Sequence, residues 1–222
     1  MNQHIVQSYD QELHHLTDSI VAIGDLVKAM LLIQKKAIHA PGINYTPEAD
    51  ALDLKINKYD FEIEQLATIL IATRQPLAID LRQITSAIKI AVIMERMGDL
   101  SKNIIWRIST VNNILHDDVL ADIKKMTKIL IAMLEKILRS VKTFDVNSAL
   151  SVIEQDAHID SIYLSLINRL SEIALTNKNM TKSIMQLVIA IKNMERLGDY
   201  IVKVSKILYY IVTGDIIATR SA

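Results

Sequence analysis

The chain of 222 residues contains no cysteine. That excludes disulfides, thiolate metal sites and thiol catalysis, and it agrees with a reducing cytoplasm. Only five glycines and three prolines are present, so turns are few and elements are long. So little glycine leaves no room for a phosphate-cradling loop, and no GxGxxG, P-loop, HExxH or GxSxG occurs. Charge of one sign is also missing. Residues 1–113 carry 11 basic and 13 acidic side chains and the remainder 14 and 12, so neither half offers a nucleic-acid surface. The apolar runs, such as "IMQLVIAI" and "ILIAML", are too short to cross a bilayer. The first residues, "MNQHIVQSYDQELHH", lack the layout of a signal peptide. A soluble cytoplasmic protein is expected, one that can still dock on a membrane protein.

What is there is aliphatic. Half of the residues are hydrophobic and few are aromatic, a composition suited to helices around an Ile/Leu/Met/Ala core. Six helices are predicted. The first spans about Gln3–His39 and stops at "APG". The second starts near "YTPEA", with Thr46 as N-cap and Pro47 at N1, and reaches Thr73. The third runs from Pro76 to about Val111, and "NNILHDD" follows as a break. The fourth covers Asp117–Lys142. The fifth starts at a cap on Asp145 or Asn147 and reaches about Leu175. The sixth spans about Asn179–Val212, before Gly214.

The halves resemble each other. "MERMGDL" (residues 94–100) returns as "MERLGDY" (residues 194–200). Upstream, "LDLKINKYD" parallels "EQDAHIDSIY", with Asp53 matching Asp156 and Asn57 matching Asp160. The expectation is an all-α fold of two tandem three-helix bundles, residues 1–113 and 114–222, from an internal duplication.

The repeated motif carries the chemistry. Glu95 and Asp99 share a helical face, as do Glu195 and Asp199. Ile88 and Ile84 precede Glu95 on its stripe and Trp106 follows; Val188, Ile184 and Val202 flank Glu195 in the same way. A second stripe (Ile79, Ile90, Ile93, Met97, Ile104) runs along the opposite side of the third helix, leaving Lys89 and Arg96 on a solvated flank. A carboxylate on a packed stripe must find a partner or lose its charge, and two at i,i+4 repel. Gly98 and Gly198 each cost about 1 kcal/mol relative to alanine. Their missing side chains leave space beside the acids for a cation or a backbone. Asp156 and Asp160, four apart on the fifth helix on a stripe with Ile153, Leu164 and Ile167, could converge with Glu195 and Asp199. Four carboxylates without cysteine make a hard oxygen site suited to Mn, Mg or Fe, with Zn compatible. The first half offers Glu95, Asp99, Asp53 and, one turn on from Asn57, Asp60. The plain alternative is surface pairing of Arg96 with Asp99 and Arg196 with Asp199.

Together, "RQPLAIDLRQITSAIKIAVIMERMGDL", "VIEQDAHIDSIY" and "ILYYIVTGD" resemble the PhoU family, regulators of phosphate uptake and phosphate-starvation signalling, over nearly the whole chain. The resemblance implies a cytoplasmic, metal-binding, non-enzymatic adaptor that restrains phosphate import and the starvation response. It implies metal ligands at Glu95/Asp99, Glu195/Asp199 and Asp156/Asp160, with iron or zinc bound, and an incomplete fourth pair at Asp53, where Asn57 replaces an acid. It implies the phosphate transporter ATPase subunit and a membrane sensor histidine kinase as partners. Two buried sides on the third and sixth helices are compatible with a homodimer.

The competing reading is a di-metal carboxylate enzyme on a helical bundle. Glu12 and His15 form one ExxH, but a second is missing, and His14 and His15 read as surface residues. Trp106, Tyr209 and Tyr210 read as packing residues. In "RQPLAIDLR", Asp80 and Arg82 fall in the first turns of the third helix, where an acid complements the helix dipole.

Overall fold

A computed structural model describes residues 2–40, 42–111 and 117–217, with side chains from residue 8 onward. Six long helices form: α1 (Asn2–His39), α2 (Thr46–Arg74), α3 (Ala78–Thr110), α4 (Asp117–Thr143), α5 (Val146–Thr176) and α6 (Thr181–Thr213). A single 3-10 turn, Lys178–Met180, leads into α6. The predicted break at Pro41, most of the break in "NNILHDD" and the expected division at 113/114 lie outside the described residues.

The ends are set locally. Asp145 caps α5, its carboxylate accepting from the Ser148 amide at 3.1 Å. Gly214 ends α6 in a left-handed turn (φ 79°), its N–H donating to the Tyr210 carbonyl, which satisfies an orphan acceptor. Two expected starts are corrected. Tyr45, not Thr46, is the N-cap of α2 and gives no side-chain cap; the Thr46 amide instead donates to Asn44 Oδ1 at 3.0 Å. α3 begins at Ala78, because Gln75 turns left-handed and Leu77 is extended, which leaves Pro76 in the connection.

α1, α2 and α3 pack on one another, as do α4, α5 and α6. The repeats join through α1 against α4 and α3 against α6, while α2 and α5 lie outside and touch only their own repeat. One aliphatic core runs through both, from Leu16, Ile23 and Met30 on α1 to Leu197, Ile201 and Leu208 on α6. Gln34 is fully buried in it and donates to Thr127 Oγ1 of α4 at 3.3 Å.

Polar stitches close the ends. Arg74 makes two hydrogen bonds to Glu12, at 2.6 and 2.9 Å, so Glu12 is a salt-bridge partner and His15 beside it is exposed. Tyr9 donates to Asp80 at 3.1 Å, and Arg82 Nε to the Ile211 carbonyl at 3.2 Å. The "RQPLAIDLR" segment thus ties α1 and α6 to the start of α3.

α3 and α6 cross antiparallel, with Asn193 donating to Asn103 Oδ1 at 3.0 Å and Arg107 donating to Gln186. In this register the two motif glycines, Gly98 and Gly198, lie at the same level. Both are buried, as are Ile84, Ile90, Met97 and Ile104 of the expected stripes. Ile79, Trp106 and Leu164 are instead exposed. Trp106 is therefore not a packing residue. It lines an open groove of about 610 Å³ over the α3–α6 crossing, with Arg107 stacked 5.5 Å from its ring centroid.

Candidate metal centre

In the second repeat, α5 and α6 bring Asp156, Asp160, Glu195 and Asp199 into one electrostatic neighbourhood. Burial pushes the Asp156 carboxyl up to about 7, helped by the charges of Asp160, Asp199 and Glu195 and opposed by Lys206. Asp160 is also raised, by burial and then by Asp199, against Lys192. A low-dielectric site disfavours the charged form, and neighbouring like charges add to that. The outer pair, Asp160 and Asp199, is exposed, while Asp156 and Glu195 sit deeper.

Asp156 Oδ1 and Glu195 Oε2 are buried and accept no hydrogen bond. Lys192 Nζ stands 2.7 Å from Glu195 Oε2, an ion pair at contact distance, so Asp156 Oδ1 is the oxygen left without a cation. Asp156 makes no ion pair among the described residues. A buried carboxylate oxygen without a donor is costly, and a cation relieves that cost.

Gly198 provides the room. A Cβ there would stand 2.6 Å from Asp156 Oδ1 and 3.5 Å from Ile159 Cγ2. Gly98 differs: its Cβ would meet Ile56 Cδ1 at 2.9 Å. The first glycine admits an aliphatic side chain between α2 and α3, and the second admits a carboxylate between α5 and α6. The expected space is thus taken at both glycines, by the Asp156 carboxylate at Gly198 and by Ile56 at Gly98.

The first repeat is arranged otherwise. Burial raises the Glu95 carboxyl, with Asp99, Asp60 and Asp53 adding to the effect and Arg96 opposing it. Asp60 is raised by burial and then by Glu64. Asp53 is buried, but Lys102 donates to its Oδ2 at 2.9 Å and stands 3.0 Å from Asp50 Oδ1. Lys102, missed by motif reasoning, is the cation of this cluster. Its partners lie 49 and 52 residues away, and no local spacing signals the contact.

Surface pairing of the motif arginines does not occur: neither Arg96–Asp99 nor Arg196–Asp199 forms an ion pair among the described residues. Among those residues, too, no three acidic or histidine side chains stand close enough to chelate an ion as they are placed. The second-repeat acids share a field without forming a closed cage. Their donor chemistry fits a hard cation, which would draw the oxygens together.

The PhoU domain family model matches this chain twice, over residues 20–108 and 123–208. A phosphate-specific transport system accessory protein PhoU homolog of Caulobacter vibrioides is 30% identical over 216 residues, covering 97% of this chain and 94% of its own length. The phosphate-specific transport system accessory protein PhoU of Escherichia coli is 22% identical, covering 96% and 89%. Crystal structures of PhoU from Pseudomonas aeruginosa and Streptococcus pneumoniae superpose with TM-scores of 0.87 and 0.86, at 23% and 25% identity, covering 93% and 95% of this chain and 100% and 99% of theirs. These matches show a duplicated, all-helical fold, and the relatives that carry it are named as transport accessory proteins. The chain belongs to the PhoU family.

Proposed function

We propose that this protein is a metal-binding accessory of a phosphate-specific transport system, a cytoplasmic adaptor that restrains phosphate uptake and starvation signalling. Its partners are the transporter ATPase subunit and a membrane sensor histidine kinase. Family membership and the names of its relatives support the link to transport. No helix among the described residues is long and apolar enough to cross a membrane, which agrees with action from the membrane surface.

The observation that carries the metal reading is Asp156 Oδ1, buried and without a partner under the side-chain gap of Gly198. Asp156, Asp160, Glu195 and Asp199 would hold the ion. All donors are carboxylate oxygens, which suits iron, manganese or magnesium, and zinc to a lesser degree. When bound, the ion would offset part of the charge of these four crowded acids and tie α5 to α6. Glu95, Asp99, Asp53 and Asp60 fit an ion less well, because Lys102 already serves Asp53.

The test is retention of the ATPase subunit and the kinase cytoplasmic region on immobilised protein. Metal-loaded wild type should retain at least one of them. The Asp156→Asn/Glu195→Gln variant should retain less. Retention of neither partner with metal present would overturn the adaptor reading.

A further inference from the structure

Lys102 separates the two repeats. Its ammonium bridges Asp53 and Asp50 at 2.9 and 3.0 Å. Asp53 is only 7% exposed, and its second oxygen is buried without a partner. Aligning the motif acids of the two repeats matches Lys102 with Val202 and Asp50 with Ile153. The second repeat therefore has neither this cation nor its outer anchor; its own ammonium, Lys192, pairs with Glu195 at 2.7 Å and not with the aspartate, and Asp156, the counterpart of Asp53, is left without an ion pair. Asn57 further removes one negative charge where the second repeat has Asp160. The two sites have solved the same electrostatic problem differently.

We propose that Lys102 is the resident counter-ion of the first-repeat carboxylates and closes that cluster to divalent metal, so that the chain loads metal through the second repeat alone. A tethered ammonium competes at high effective concentration for the oxygens an incoming ion needs. It also repels that ion across a few ångströms, well inside the screening length. Lysine is suited to the role, since a compact charge on a flexible stem reaches two carboxylates at once. The closure of the first repeat follows from these contacts. Loading of the second repeat rests on the metal reading given above, and the experiment keeps the two apart.

The first arm uses chelator-treated, metal-free full-length protein. Lys102→Met and Asp53→Asn should each lower the melting midpoint. The double variant should lose less than the sum of the two, since partners in one ion pair are coupled. Strictly additive losses would overturn the counter-ion role. The second arm titrates Mn2+ into the Asp156→Asn/Glu195→Gln variant. That variant should bind no Mn2+, adding Lys102→Met should create a site, and adding Lys102→Arg should not. A helical Lys102→Met triple variant that still takes up no Mn2+ would contradict the proposal. So would a first-repeat site already present before Lys102 is changed. A wild-type chain that binds no Mn2+ would remove only the second-repeat reading, because a site gained with Lys102→Met still establishes the closure.

Discussion

Gly198 and Asp156 are complementary across the α5–α6 contact: the hydrogen of the glycine faces the carboxylate, and a Cβ would stand 2.6 Å from Oδ1. Gly198→Ala should therefore push the Asp156 carboxylate away and weaken Mn2+ binding by about tenfold or more, equivalent to ~1.4 kcal/mol. Gly98→Ala, which meets only Ile56, should leave Mn2+ affinity unchanged. Its helix propensity gains about 1 kcal/mol, while overpacking costs about 1–3 kcal/mol. Paired titrations and melts of the two variants check both statements.

Acidity gives a second prediction. The Asp156 carboxyl is held up to about 7, by burial first and then by its acidic neighbours. In the unfolded chain it titrates near 3.9. Between those values the folded state holds a proton that the unfolded state has released, so stability from this group is full below about pH 4 and is lost as pH rises through 7. Glu95, Asp60 and Asp160 are shifted the same way. Metal-free protein should melt at a higher temperature at pH 5.5 than at pH 8, and Asp156→Asn should flatten that difference. Metal should reverse the trend, because the ion needs the ionised carboxylates.

The α1–α4 contact between repeats supplies a third. Gln34 is fully buried, bonded to Thr127 through Nε2, with Oε1 unpaired. Thr127→Val should cost about 1–3 kcal/mol by stranding the amide donor. Adding Gln34→Leu should recover most of that, since replacing both polar partners with apolar groups of similar shape is close to neutral. Denaturant melts of the single and double variants measure the difference.

Much of this was legible in the sequence, for physical reasons. Scarce Gly and Pro leave long helices few places to end, so the ends at His39 and Thr213 fell within a residue or so of expectation. The spaced copies of the ERxGD motif exposed the duplication. Antiparallel packing of two acidic stripes was expected to bring Asp156, Asp160, Glu195 and Asp199 together; the four share a field, but among the described residues no three of them stand close enough to chelate an ion as they are placed. Contacts distant in sequence were not legible. Thr46 looked like a cap, yet the chain enters α2 so that Asn44 takes its amide. Trp106 looked like core, but its turn of α3 emerges beside α6 into a groove. Lys102 carries no motif, because its function comes entirely from α2 residues about fifty positions away. The distinct uses of Gly98 and Gly198 also depend on tertiary packing, since both sit in nearly the same local sequence.

The most direct measurement is a titration of metal-free full-length protein with Mn2+, counting free ion by electron paramagnetic resonance. Wild type should bind one Mn2+ per chain, more weakly below pH 7, and Asp156→Asn/Glu195→Gln should bind none while keeping its helical signal. Equal binding by wild type and variant, or no binding by either, would contradict a metal ion held by the second-repeat carboxylates.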